Sequence, residues 1–591
     1  MSETTNPPVV ARPSRANQGL FNDVFETVRS LLPRLDNRQR RLVIDSTLMG
    51  VAGAAAAQVF TVLLKASTHL FLGVLAGYRA PGLASEGGTP TEVIGPHGLW
   101  LIPVATTLGG LITGIIITRL APEAEGHGTD TVVRAFHRAG GALRARVTPV
   151  KMIASAITIG SGGAAGREGP IALIAAGVGS WYGEFTERDE EDRRFLLLAG
   201  AAAGISAIFR SPIGAALFLV EVLYADMEFE AGVLLHITLA TIVAYAVNGF
   251  FSGWEPLFVM PSMTDALRSP LNYGWYAILG IASGIFATAL PVAFYGIRDL
   301  FRALPVKEYL KPAIGGLLTG LVALALPQII DGGYGWVQSA INGNLTIGLL
   351  LLLAVAKMFT MSFTVSSGGS GGVFAPSLFC GAMLGGACAA VAHQPPAPFV
   401  VVGMAAVFAG AAHVPFATMM MVTEMTGGYS LLVPAALAVM LSYLVQAAAA
   451  RNLRYRTLYE AQVQSRGDSP AHHTQHLEIA LRLLREHAVT NLDHVGEVDL
   501  ISLLRSGIPV ELGEGRRLFV GALRPESAFV GKTIADSAQS VAWGDTTVFA
   551  ILRGQHMMGP RQDLVLCAGD RLIVVADSQA LERLRGDLAA W

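Results

Sequence analysis

Between residues 42 and 450 this chain is one apolar run after another, separated only by short polar or glycine-rich breaks. Clear runs cover 42–77, 99–120, 152–179, 195–224, 233–251, 275–295, 310–327, 345–363, 372–392, 399–412 and 431–449. A helix that crosses a bilayer needs about 20 apolar residues. Several of these runs are shorter, or are interrupted by Gly and Pro. The pattern predicts an α-helical polytopic membrane protein of tilted and broken helices. With 52% hydrophobic and 15% charged residues, the chain is too apolar for a soluble fold. A net charge of −2 leaves no basic footprint for nucleic acid. Three cysteines cannot make a disulfide framework.

Two breaks matter most. Gly160 to Pro170 reads Gly-Ser-Gly-Gly-Ala-Ala-Gly-Arg-Glu-Gly-Pro and carries Glu168 deep within apolar sequence. A carboxylate at that depth costs several kcal/mol unless it faces water, an ion or a partner. Ser366 to Pro376 is the second glycine-rich break, in the corresponding position of a second apolar half. Paired interruptions of this kind point to a binding site between internal repeats. Helix N-termini opened by glycine offer unpaired N–H groups to an anion without needing a full positive charge. A third such segment, Gly126-His127-Gly128-Thr129-Asp130, follows an earlier apolar run. A tyrosine hydroxyl after the last run, on Tyr455 or Tyr459, adds a fourth polar group.

Arg29, Arg34, Arg38, Arg40 and Arg41 precede the first run, and Arg451, Arg454 and Arg456 follow the last. Basic flanks at both ends place both termini in the cytoplasm, with the protein in a bacterial plasma membrane. No secretory signal is visible in the polar start of the chain. The domains read as a cytoplasmic arm (1–40, with an amphipathic helix near 20–32), a transmembrane unit (41–463), a linker with a helix (464–516) and a small α/β module (517–591). In that module the β-like runs are 518–523, 547–553, 563–566 and 571–576, and 581–588 closes it as a helix. His472, His473 and His476 read as a solvated linker rather than a metal site.

Together these residues resemble the CLC family of chloride channels and chloride/proton exchangers, over roughly residues 40–460. Gly166–Pro170 resembles the family's gating-glutamate motif, and Gly371–Pro376 its second anion motif. Phe209-Arg210-Ser211-Pro212, Leu217–Glu221 and Thr423–Gly427 are further family-like stretches in the right order. The resemblance implies inverted repeats, a homodimer with a separate pore in each subunit, and a lipid bilayer setting. It implies small anions, above all chloride, as the transported ligand, with no cofactor and no enzymatic activity. Glu168 would be the gate, filling an anion site when ionised and swinging aside when protonated. The anion would be held by His127, Gly128, Arg167, Gly169, Val373, Phe374, Ala375 and Tyr459. Tyr459 fits the family's tyrosine, with Tyr455 second.

Two departures bear on mechanism. The family's first anion motif usually reads Gly-Ser-Gly-Ile-Pro, and here His127 replaces the serine. Histidine can donate N–H to an anion and can be charged near neutral pH, so acid is expected to raise flux through both His127 and Glu168. Family exchangers usually carry a second glutamate just after the position of Glu221, where this chain has Val222. Valine carries no proton, which favours a passive anion channel over a chloride/proton antiporter. A remote enzyme reading, an intramembrane serine protease, would use Ser370 in a Gly-Gly-Ser-Gly-Gly stretch with His413. The module from Arg517 to Leu588 resembles the TrkA-C regulatory domain, through Ser527–Thr533, Phe549–Gly554 and Ala568–Leu572. That likeness implies a dimerising role or an unknown small-molecule ligand.

Overall fold

The computed structural model describes residues 37–261, 270–465, 469, 471 and, with short breaks, 510–590. The expected helices at 20–32 and 477–486, and the histidine tract, lie outside the described residues. Sixteen helices form the apolar part among them: α1 (Asn37–Thr68), α2 (Ile102–Leu120), α3 (Thr129–Arg138), α4 (Val147–Gly160), α5 (Glu168–Phe185), α6 (Glu190–Phe209), α7 (Pro212–Glu221), α8 (Ala231–Ser252), α9 (Pro270–Ala303), α10 (Lys311–Ala325), α11 (Tyr334–Ile341), α12 (Ile347–Ser366), α13 (Phe374–Ala392), α14 (Pro396–Ala412), α15 (Pro415–Thr426) and α16 (Leu432–Ala450). Seven helical stretches are long and apolar enough to cross a membrane, while α4, α7 and α14 are shorter apolar helices. Two apolar runs each divide. Run 152–179 becomes α4 and α5 around the first glycine break, and run 195–224 becomes α6 and α7 at Ser211-Pro212, where proline starts a new helix.

The order α2 to α7 recurs as α10 to α15, and its internal contacts recur with it. Thr158 donates to Thr113 at 3.0 Å between α4 and α2, and Thr319 bonds Thr364 at 3.0 Å between α10 and α12. Lys151 on α4 donates to Ala124 O and Gly126 O. Lys357 on α12 does the same for the carbonyls of Ile329, Ile330 and Asp331. The repeats cross at α2 and α10. There Gly110 faces the backbone of Pro312 and Gly316 that of Thr106, so close that a Cβ on either would collide. Small residues let helices approach this closely in lipid. The first and second glycine breaks meet through an antiparallel bridge between Gly166 and Gly372, and the third meets the second through a parallel one between Gly126 and Ser370.

The C-terminal part has a core of its own, including Phe519, Phe529, Trp543, Ile551 and Leu572. Its strands are β1 (Val510–Gly513), β2 (Arg516–Leu523), β3 (Thr547–Arg553), β4 (His556–Met558), β5 (Arg571–Asp577) and β6 (Leu588–Ala590). They pair antiparallel in the order β1-β2-β5-β3-β4, with β6 also on β2. The expected strands at 518–523, 547–553 and 571–576 are there. The one at 563–566 is reduced to a single bridge between Thr533 and Val565. The closing segment is a helix, Ser578–Leu584, followed by β6. Arg553 grips Asp570 with two bonds, at 2.8 and 2.7 Å, tying β3 to the turn before β5.

Candidate functional site

Three glycine segments meet at the centre of the apolar part. Gly166 and Gly372 exchange backbone hydrogen bonds, Gly166 N to Gly372 O at 2.8 Å and Gly372 N to Gly166 O at 2.7 Å. Gly126 N donates to Gly369 O at 3.0 Å, and Gly371 N to Gly126 O at 3.2 Å. Backbone that is neither helix nor sheet survives in a bilayer only where protein or a pore covers it. Here the breaks cover one another. The N-termini of α3, α5 and α13 start at these segments, so their free N–H groups gather in one place.

Glu168 lies in that place. Its side chain is buried, and Oε1 accepts from the N–H of Ala375 at 2.9 Å, in the first turn of α13. Oε2 has no hydrogen-bond partner among the described residues. A Cβ on Gly166 or on Gly372 would strike this carboxylate. Glycine is required there because the acid fills the room. Neither neighbouring arginine neutralises it. Arg167 pairs with Glu86 at 2.5 Å and lies over the Tyr334 ring, while Arg210 donates to the carbonyls of Ser85, Ser252 and Glu255. The acid is thus held by backbone, as an anion would be.

Val373 and Phe374, at the cap and first residue of α13, are buried beside Ala375. The Phe374 ring packs on Phe408 and Phe218, and both of those pack on Tyr459. Tyr459 is buried and its ring lies edge-on to His127 at 5.4 Å. Tyr455 is elsewhere, stacked on Tyr295 and bonded to Asp299 at 2.7 Å. The carbonyl of His127 abuts Gly169, and Gly128 abuts the Gly169 carbonyl, so the first and third glycine segments touch at the residue after Glu168. The His127 side chain is 7% exposed, with Nε2 3.2 Å from Asp130 Oδ2. Val222 is fully buried. Glu221 accepts from the N–H groups of Phe416 at 3.1 Å and Ala417 at 2.7 Å, at the start of α15.

Cavities approach the site from two ends. One of about 530 Å³ is lined by His127, Gly128, Asp130, Arg134, Arg138 and Val147, among others. Two smaller ones, of about 150 and 240 Å³, share Glu86 and Arg167, and the first also touches Ile159. Val147 and Ile159 lie at opposite ends of α4, roughly 18 Å apart at 1.5 Å per residue. The seat of Glu168 lies between these two approaches, and each mixes both signs of charge: arginines beside Glu123, Glu125, Asp130 and Glu460 in the large cavity, and Lys65, Arg167 and Arg210 beside Glu86 and Asp331 in the smaller pair.

The serine-protease alternative fails on placement. Ser370 bonds Ser155 and the Ala124 carbonyl, whereas His413 bonds the Ala225 carbonyl and Gln446, so no Ser–His pair forms. Sequence reasoning misses Glu86, Asp130 and Lys151. Lys151 carries a usable signal, a lone lysine at the same place in an apolar helix of each repeat as Lys357.

The family model described as voltage gated chloride channel matches residues 109–447, and the TrkA-C domain matches 522–588. The chain is 31% identical over 422 residues to the H(+)/Cl(−) exchange transporter ClcA of Cronobacter sakazakii, covering 69% of this chain and 86% of that one. It is 32% identical over 358 residues to the ClcA of Salmonella agona, covering 58% of this chain and 75% of that one. Two solved structures share the fold at 21% identity and a TM-score of 0.60. They are a slow cyanobacterial Cl−/H+ antiporter, covering 70% of this chain and 96% of that one, and a CLC-type fluoride/proton antiporter, covering 73% and 100%. The named relatives are exchange transporters and antiporters, and the family model is that of a chloride channel.

Proposed function

The chain belongs to the voltage gated chloride channel family, and from that premise we propose that it moves chloride across a membrane in exchange for protons, with Glu168 as the gate. One observation carries this reading: a buried, unneutralised carboxylate is seated on a helix-terminal N–H, in a glycine cradle, between two cavities. Such a group does two things at once. Ionised, it competes with an anion for the amides of Val373, Phe374 and Ala375. Protonated, it leaves that seat carrying the proton with it. One side chain thus links chloride movement to proton movement. Gly128 and Gly169 let backbone come close, His127 faces the anion from the large cavity with Tyr459 packed against it, and Arg167, held by Glu86, draws anions to the other approach.

Exchange replaces passive conduction as the main reading because curated relatives at 31–32% identity are named exchange transporters. Passive conduction remains the second reading, favoured by Val222 at the position of the family's inner proton glutamate. The reversal potential under opposed chloride and proton gradients separates them. A potential that shifts with the proton gradient supports exchange, and one set by chloride alone supports a channel. The proposal extends to a homodimer with one pathway per subunit in a bacterial plasma membrane. Its transport unit is 41–463, and both basic flanks are cytoplasmic. The module at 517–591, reached through the linker at 464–516, dimerises or binds a small-molecule ligand.

A further inference from the structure

We propose that His127, paired with Asp130 at the edge of the large cavity, is the group that passes protons between that cavity and Glu168. The proposal rests on the exchange reading above. A proton reaching Glu168 from the large cavity needs a titratable group on the way, because the helices around the gate are packed with apolar side chains. Val222 is apolar and fully buried. Glu221 is committed elsewhere. Both its oxygens accept N–H groups that open α15, and Glu424 does the same for Ile213 and Gly214 at the start of α7. That reciprocity identifies Glu221 as one half of a pair of helix caps.

His127 has what Glu221 lacks. Its Nε2 edge meets Asp130, whose side chain is 15% exposed and lines the cavity, while Asp130 Oδ1 is oriented by the Ala461 N–H at 3.2 Å. Its Nδ1 is buried with no hydrogen-bond partner among the described residues. A buried nitrogen left unpaired is costly, and such an exception calls for a role. On the gate side, the His127 carbonyl abuts Gly169, and the Tyr459 phenol lies within the fields of both Glu168 and Asp130. The charged and titratable groups that share the cavity and ring contacts with the imidazole come from several elements. They include Asp130 and Arg134 on α3, Glu123 and Glu125 before it, Lys151 on α4, Arg298 and Arg302 on α9, and Tyr459 with Glu460 after α16. Lys151 is turned to the Gly126 carbonyl and Arg298 to Glu460, which leaves Asp130 as the anion in contact with the ring.

The step balances. Asp130 takes a proton from hydronium in the cavity and gives it to Nε2. The ring then releases its Nδ1 proton toward Glu168, and rotation of the resulting Nε2–H imidazole turns its free Nδ1 to Asp130, ready for the next proton. One proton enters, one leaves, and Asp130 ends as the carboxylate. Serine, which the family usually has here, cannot do this at neutral pH.

The test measures chloride efflux and proton uptake together, in liposomes holding the full-length protein under a chloride gradient. The readout is protons moved per chloride. Wild type is expected to take up protons against their gradient. In His127→Ser the ratio should fall at least tenfold whatever happens to the chloride rate itself, and an unchanged elution profile in detergent separates lost relay from lost fold. Should that variant fail to accumulate, Asp130→Asn is read by the same criterion. A coupled wild type with an unchanged ratio in the variant overturns the role of His127 and leaves exchange standing. An uncoupled wild type overturns exchange and this proposal together.

Discussion

At the scale of single residues, the account turns on what holds Glu168. A hydrogen bond from N–H to a carboxylate is worth roughly 1.5–3 kcal/mol, about tenfold or more in occupancy of the seat. Glu168→Gln removes the charge that competes with the anion. Chloride flux at neutral pH should rise by about that factor, and the share of its pH dependence that Glu168 carries should vanish, leaving only that of His127. In wild type the sign is fixed by chemistry: protonation neutralises the acid, weakens its grip on the Ala375 N–H and raises flux as pH falls. Liposome flux from pH 7.5 to 4.5 checks both, and a variant that kept the wild-type pH profile would contradict the assignment. Much of this site is legible in the sequence, since a glutamate among glycines inside apolar sequence is too costly to keep unless it faces an ion, water or a partner. Its partners are not legible. Arg167 finds Glu86, 81 positions earlier, and His127 needs the fold to bring Tyr459 beside it. Asp130 lies only three residues from His127, yet the pair forms because α3 begins between them and turns the two side chains together.

At the scale of elements, α7 and α15 are short antiparallel helices, each closing the other's N-terminus with a glutamate. Glu424 accepts from Ser211 Oγ at 2.6 Å, Gly214 N at 2.8 Å and Ile213 N at 3.2 Å. Breaking such a buried charged cap costs about 1–3 kcal/mol. Glu424→Gln and Glu221→Gln should each lower the midpoint of thermal unfolding in detergent by a few degrees. Glu221→Gln should still move protons with chloride. An unchanged midpoint would show that the caps are not structural, and lost coupling in Glu221→Gln would return that residue to the proton path. Apolar patterning locates these helices but not their ends. The break inside run 152–179 shows in its glycines and Pro170, whereas run 195–224 reads as continuous because glycine, alanine and serine are as compatible with a buried loop as with a packed helix. Only the contacts across the repeats decide where the helix stops.

At the scale of the whole molecule, two repeats lay their glycine breaks against each other, and the site exists only where they meet. The repeat is legible because both breaks carry the same Gly-rich, Pro-ended pattern. The crossing of α2 and α10 is not, because glycine spacing alone does not name its partner. The C-terminal module has a closed core, so residues 510–591 expressed alone should unfold in one cooperative transition by circular dichroism. A gradual, non-cooperative melt would show that it needs the rest of the chain. Light scattering in detergent should give twice the chain mass if the subunits pair, and a monomer mass would rule out the proposed homodimer. All of this serves one seat at the first turn of α13. The most direct test is a crystal of Glu168→Gln grown in bromide, read by anomalous diffraction. A bromide peak within hydrogen-bond reach of the Phe374 and Ala375 N–H groups is the expected result, and empty density there, with bromide elsewhere or absent, would contradict the shared seat of acid and anion.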